Sequence, residues 1–352
     1  MKKLFNWINK WFKKKASAVI GIDVGTVNTL ICVKDKGIVL NEASVVSFTS
    51  ENNENVAHLY GNDAKALIGK TPFKIEVVKP IEDGVISNLM LSENMIRHFI
   101  TTVNNSALFL PIVIAGVPFS ATDVEKKALQ DILERSNVKD VYLIYESIAS
   151  ALGANLPIDQ PIGSLVIDIG GGTTEMSVIS LNGIIKNKTF KYGGRKIDEA
   201  IAKYIEHKYD ILIGQNTAED VKKRISALYL CPSDEIKKIS IYGRNLKTNV
   251  PQEIFITQED MVTACAEFTN FFIENLNDLL SMTPPELMKD ILKNGVTVCG
   301  GGANVANIDY VIKTITGLDT YVPKNPELCL IKGLNLIIED YKKYDYLLFK
   351  QL

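Results

Sequence analysis

Short runs of β-branched and aliphatic residues, each closed by a turn of glycine and threonine, punctuate this chain, and one such phrase occurs twice. Residues 19–24 (VIGIDV) lead through Gly25, Thr26, Val27 and Asn28 into a second apolar run over 30–33. Residues 165–169 (LVIDI) lead through Gly170, Gly171, Gly172 and Thr173 into another over 176–179. Both read as hairpins of buried strands, with Asp23 or Asp168 at the end of the first strand. Strand-like text continues over 37–40 and 44–48, whereas the polar, Asn-rich stretch 49–57 reads as a surface loop. Helical spacing follows over 64–67 and 91–103, then a strand over 112–117. Thr122 is placed to cap a helix over 123–136 with acids in its first turn. A strand over 141–145 runs into Glu146 and a small-residue helix over 147–154. Further helices are expected over 196–208, 218–227, 258–281 and 285–292, and a strand over 296–299 ends at Gly300, Gly301 and Gly302 ahead of another helix. Strand and helix alternate throughout, so the fold class is α/β.

At 352 residues the chain is long enough for two domains, each with its own core. Its 46% hydrophobic and 23% charged residues are those of a globular protein. A net charge of −2 gives no reason to expect nucleic-acid binding. The five cysteines form no C-x-x-C pair and read as free thiols, and the three histidines lack partners at zinc-ligand spacing. No apolar run approaches the roughly 20 residues of a membrane span; the longest, 107–119, is broken by Pro111 and Pro118. The N-terminal lysines are interleaved with apolar residues, unlike a signal peptide, which points to a cytoplasmic protein.

Residues 1–15 hold six lysines and no acid. As a helix they place Leu4, Phe5, Ile8, Trp11 and Phe12 on one side, with Trp7 adding the second of the chain's two tryptophans. A basic helix with aromatic residues on its apolar side suits the face of an anionic membrane. A helix docked on the protein's own body, or on a partner protein, has the same pattern.

The acids and glycines carry the chemistry. Bare backbone N–H groups of Gly25 and of Gly170, Gly171 and Gly172 can close on phosphate oxygens, helped by Thr26, Asn28 and Thr173. Asp23 and Asp168 together can hold a hydrated Mg²⁺ through its waters. Glu219 and Lys222 share a helix face suited to a ribose, and Gly300, Gly301, Gly302 and Ala303 offer bare backbone to a flat ligand. Singly these signals are weak; their order and spacing make them specific.

That combination resembles the actin/Hsp70/sugar-kinase ATPase superfamily, and within it the MreB family of bacterial actin homologues, over 18–341. The matching segments are IGIDVGTVNTLICVKDKGIVLNEASVV, YESIASALGANLP, VIDIGGGTTEMSVISLNG, TAEDVKKRI, VTVCGGGANVANID and NPELCLIKG. The resemblance implies an actin-like fold of two lobes, each with a ribonuclease-H-like core and a small subdomain, closing on ATP and Mg²⁺. Lobe I is expected over 16–153, with its small subdomain near 39–73 and a completing C-terminal helix near 333–352. Lobe II is expected over 154–332, with its small subdomain near 190–250. Phosphates would meet Gly25, Thr26, Val27, Asn28 and Gly170 to Gly172, while ribose and adenine would lie near Glu219, Asp220, Val221, Lys222 and Gly300 to Ala303. Glu146 and Thr173 would orient the attacking water, although a first-turn helix acid and a plain turn hydroxyl are the simpler readings of the same residues.

The resemblance also implies polymerisation into filaments on the inner face of the cell membrane, cell-shape determination, and paralogous filament proteins as further partners. An apolar loop at Leu108 and Phe109 would dip into the bilayer, or would simply begin the next strand. One departure stands out: in GGRKIDEAI, Arg195 takes a place where the family usually has an acid. A small-molecule kinase or an Hsp70-type chaperone ATPase of the same superfamily is the alternative. The chaperone would need a substrate-binding domain after the ATPase, and the kinase a longer second lobe with an Asp base facing a sugar pocket.

Overall fold

A computed structural model describes residues 18–351 except 52–53, 105–109 and 234. The residues expected to meet a membrane (Leu4, Phe5, Trp7, Ile8, Trp11, Phe12, Leu108 and Phe109) lie outside the described residues.

The repeated hairpin organises two sheets. In the first lobe β1 (Val19–Val24), β2 (Asn28–Val33) and β3 (Gly37–Ala43) form an antiparallel meander. Beside it β4 (Val46–Glu51), β5 (Glu54–Tyr60), helix α1 (Gly61–Lys65) and β6 (Glu76–Val78) make a small subdomain with a three-stranded sheet. A tight hairpin of β7 (Ile81–Glu82) and β8 (Val85–Ile86) follows, then α2 (Leu89–Val103), β9 (Ile112–Val117), α3 (Asp123–Arg135) and β10 (Asp140–Tyr145). Parallel neighbours need a crossover, and α2 and α3 allow β9 and β10 to complete the order β10-β9-β1-β2-β3. Thr122 and Glu125 form a reciprocal capping box at the start of α3.

Helix α4 (Glu146–Gly153) leads to the second lobe. There β11 (Ser164–Ile169), β12 (Thr174–Ser180) and β13 (Gly183–Phe190) repeat the meander. Helix α5 (Gly194–Tyr209), β14 (Ile211–Leu212), α6 (Gln215–Ile225), β15 (Lys238–Asn245) and β16 (Pro251–Thr257) build this lobe's small subdomain. The chain returns through α7 (Gln258–Ala264), α8 (Ala266–Ser281), α9 (Pro285–Asn294), β17 (Val296–Cys299), a 3₁₀ turn over Gly301–Asn304, α10 (Ile308–Thr316) and β18 (Thr320–Tyr321). The order β13-β12-β11-β17-β18 repeats that of the first sheet, so Asp23 and Asp168 occupy corresponding places.

Each lobe has its own core, built on Ile22, Ile31, Phe99 and Val113 in the first and on Ile167, Met176, Phe268 and Phe272 in the second. A third core, with Ile148, Ala149, Val166, Cys299 and Leu334, joins the lobes where α4 crosses α11 (Cys329–Glu339). The helices touch through glycines. A Cβ on Gly153 would lie 1.8 Å from the Cys329 carbonyl oxygen, and one on Gly333 1.8 Å from that of Ala149. After α11 the chain turns back: Leu143 and Phe349 exchange backbone hydrogen bonds of 2.8 and 3.0 Å, and Lys350 pairs with Asp140.

Three expectations are corrected. The stretch 49–57 is not a loop but most of the β4–β5 hairpin, with Thr49 opposite Val56 and the Thr49 hydroxyl 2.8 Å from His58 Nε2. Polar residues such as Thr49, Ser50 and Asn55 make up the paired strands, so composition hides the pairing. The helix over 258–281 is interrupted at Cys265, whose ψ of 0° separates α7 from α8. The triple glycine does stand between a strand and a helix, reaching α10 through a 3₁₀ turn. The C-terminal helix is Cys329–Glu339, and the residues beyond it are turns and the bridge to β10.

Candidate functional site

The two glycine turns meet face to face. A Cβ on Gly171 would lie 2.3 Å from Val27 Cγ2, and one on Gly172 2.6 Å from Thr26 Oγ1, so glycine is required at both. The first turn is fixed by Ser44, whose hydroxyl donates to the Gly25 carbonyl at 2.6 Å and whose N–H donates to that of Val27 at 2.9 Å. Asn28 opens β2, paired with Ala43. In the second turn the Gly170 N–H donates to the Thr173 carbonyl at 2.9 Å. The start of α5 is bound to it, Gly194 N–H to Gly170 O at 2.9 Å and Arg195 N–H to Gly171 O at 2.8 Å. The β7–β8 turn covers both loops: Gly84 N–H donates to Thr26 Oγ1 at 2.9 Å, and Thr173 packs beneath Gly84.

Four carboxyl groups gather where the lobes meet, Glu175 buried and Asp23, Glu146 and Asp168 half-buried. Burial, reinforced by Asp168, pushes Asp23 up to about 7. Burial also raises Asp168, against a 2.5 Å hydrogen bond from the Ser150 hydroxyl. Glu146, the first residue of α4, is held well above the usual carboxylate range by burial and then by Asp23, Glu175 and Asp168. Glu175 stands opposite Asp168 across the β11–β12 ladder; burial pushes it up to about 7 although it accepts the Phe119 N–H at 3.0 Å. Among the described residues no ion pair neutralises any of the four. Such a cluster is costly in the absence of positive charge, and its oxygen donors are those a hard divalent cation takes. No three acidic, His or Cys groups converge on a direct metal site among the described residues. A cavity of about 20 Å³, room for one water, lies beside Glu146 and is lined also by Val24, Gly84, Gly116, Val117 and Pro118.

The outer part of the cleft is charged. Glu219 on α6 is bonded by Lys65 of the first lobe at 2.7 Å and by Lys223 at 2.6 Å. Burial alone would raise this carboxyl; the two lysines hold it down to about 2. Lys222 does not pair with Glu219 but reaches Asp198 at 2.8 Å and the Gly194 carbonyl at 2.7 Å. Asp220 pairs with Arg224 at the helix surface, and Val221 is buried in the second-lobe core. Gly300, with φ of +81°, lies against Asp168 and Ile169; Gly302 packs on Ile169, Gly301 is open, and Ala303 is buried.

With this geometry in place, the chain can be set beside known proteins. A family model described as MreB/Mbl protein matches residues 17–346. The chain belongs to the MreB/Mbl family. The cell shape-determining protein MreB of Escherichia coli (strain K12) is 39% identical over 329 residues, 92% of this chain and 94% of that protein. The cell shape-determining protein Mbl of Bacillus subtilis (strain 168) is 37% identical over 92% of this chain and 96% of its own length. The crystal structure of MreB5 of Spiroplasma citri bound to ADP has a TM-score of 0.87 at 34% identity, covering 94% of this chain and 98% of that one. The actin-like α/β fold is thus that of the MreB/Mbl family, whose named relatives determine cell shape.

Three parts of the site escape a reading of the sequence alone. Glu175 is a lone acid in a strand otherwise apolar or small, and its two-residue spacing from Thr173 puts it on the same side of the chain; that is the signal by which it can be found. Lys65, and the Asp83–Gly84 turn, come from the other lobe and carry no local signal.

The buried acids give a test. Folded Glu175 keeps its proton to about pH 7, whereas the unfolded group releases it near 4.5. The folded, nucleotide-free state therefore binds more protons between these values, and its stability falls as pH rises through them. Lowering pH from about 7.5 to about 5.5 should add about 2 kcal/mol through Glu175. In urea titrations at the two pH values, Glu175→Gln should lose that increment; an unchanged pH response would show that Glu175 is ionised in the folded chain.

Proposed function

We propose that this chain binds ATP with Mg²⁺ between its lobes, hydrolyses it, and polymerises into filaments on an anionic membrane surface. The observation that carries the reading is the contact of the two glycine turns above four carboxyls that no ion pair neutralises among the described residues, with room for one water beside Glu146. Crystal structures of Spiroplasma citri MreB5 bound to ADP and to AMPPNP support nucleotide as the ligand.

Gly25, Thr26, Val27 and Asn28 would bind phosphate oxygens from one side and Gly170, Gly171, Gly172 and Thr173 from the other. Ribose and adenine would lie along Glu219, Asp220, Val221, Lys222 and Gly300 to Ala303, with Glu219 exchanging its Lys65 contact for the ribose. Mg²⁺, held by Asp23 and Asp168 through water, would neutralise phosphate charge. Glu146 would accept a proton from the water that attacks the terminal phosphate, and Thr173 would orient that water. Its high proton affinity in the nucleotide-free chain fits a base poised near neutral pH once positive charge enters the site. Phosphoryl transfer needs positioning and charge neutralisation more than covalent help; the rigid turns would supply the first, and the cation held by the acids the second.

No helix of the described residues is long and apolar enough to cross a membrane. Surface attachment would rest on residues 1–15 and on Leu108 and Phe109. The test is co-sedimentation and electron microscopy with ATP on vesicles. Polymer should form with ATP, binding should rise with anionic lipid and fall with salt, and deletion of residues 1–15 should weaken it. Absence of ATP-dependent polymer at any concentration would overturn the filament reading, and equal binding to neutral and anionic vesicles the electrostatic one.

A further inference from the structure

Polar contacts across the mouth of the cleft among the described residues include Lys65 with Glu219 at 2.7 Å, Lys79 with Gln215 at 3.5 Å, and Arg195 with Asp83 at 3.0 Å. Only the last is anchored on the phosphate loops at both ends. The Arg195 N–H is bonded to Gly171 O, so the guanidinium starts from the second loop. Asp83 precedes Gly84, whose N–H is bonded to Thr26 Oγ1, and the Asp83 Cα would lie 2.7 Å from a Cβ on Gly172. Asp83 and Gly84 both have positive φ, 48° and 79°, so the turn has a specific shape that brings it onto both loops. Arg195 Nη1 also lies 3.9 Å from Glu82, and its Nε is buried without a partner among the described residues. The side chains of Arg195 and Asp83 are only 20% and 27% exposed, so the pair is partly shielded from solvent.

We infer that Arg195 is a positioning residue, a clasp that holds the β7–β8 turn over the phosphate loops and slows nucleotide release. An acid at this place would face Asp83 and Glu82 with like charge and push the turn away. In this chain the same contact attracts, so the turn stays down whether or not phosphate is bound. The role in nucleotide release rests on the proposed nucleotide site; the clasp itself does not.

Two measurements separate these. In the nucleotide-free full chain, hydrogen exchange of the 81–87 segment should speed up several-fold in Arg195→Ala and in Asp83→Asn, with no comparable change in β11. Unchanged exchange in both variants would overturn the clasp. With a fluorescent ADP analogue, release should be threefold to tenfold faster in Arg195→Ala and faster still in Arg195→Asp. The Arg195→Ala, Asp83→Asn double variant should be no faster than Arg195→Ala alone, and the salt sensitivity of release should disappear. Release within twofold of the parent, or single effects that multiply, would overturn the role in release. A parent chain that takes up no nucleotide would instead overturn the nucleotide site, leaving the exchange result to decide the clasp.

Discussion

Glu146→Ala should release phosphate from ATP about 100-fold more slowly than the parent chain, a loss of the size expected when a positioned base is removed. Nucleotide affinity should change by less than about threefold, because Glu146 lies at the water-sized cavity and not on either glycine turn. Glu146→Gln separates proton acceptance from water placement. It keeps the shape and one acceptor oxygen, so a slow Gln variant assigns the loss to the proton, and a fast one assigns it to orientation. The apparent KM should move little while kcat falls. A single-turnover phosphate-release assay checks this, and release unaffected in the alanine variant would remove Glu146 from the chemistry.

The second large effect lies where α4 crosses α11. Gly333→Ala places a methyl group 1.8 Å from the Ala149 carbonyl oxygen, a contact no rotamer can relieve because both partners are backbone. The helices must separate, opening the core that joins the lobes around Ile148, Ala149 and Leu334. A loss of about 3 kcal/mol is expected, at the upper end for an overpacked site. Urea unfolding read by circular dichroism measures it. Gly301→Ala, with nothing within 4 Å of its added methyl, should stay within about 0.5 kcal/mol of the parent. Equal midpoints for the parent and Gly333→Ala would mean that the crossing is looser than described. Because Glu146 opens α4 and Gly153 closes it, disturbance of this crossing should also reach the site.

How far the sequence discloses this molecule depends on whether the forces involved are local. The β1–β2 and β11–β12 hairpins follow from β-branched runs beside glycine turns, and the α3 capping box from Thr122 and Glu125 three residues apart. Glu146 at the start of α4 is legible because a buried strand runs straight into a small-residue helix. The part of the β4–β5 hairpin over 49–57 is not legible, since its pairing comes from neighbours across a small sheet while most of its own residues are polar. The Arg195–Asp83 contact joins residues 112 positions apart, and its meaning depends on which loops lie beneath each end. Arg195 could be seen as unusual in the sequence; what it faces could not.

The bridge between Phe349 and Leu143 bears on how copies of this chain can recognise one another. Leu143 lies midway along β10, the outermost strand of the first sheet, and both its N–H and its carbonyl are taken by Phe349. An open border of that kind would accept a strand from any neighbouring molecule, with main-chain bonding that is indifferent to side chains. Here the chain fills the middle of that border itself. Recognition on this side of the lobe therefore falls to side-chain surfaces, which carry specificity and can respond to lobe movement, and not to strand addition, which would do neither.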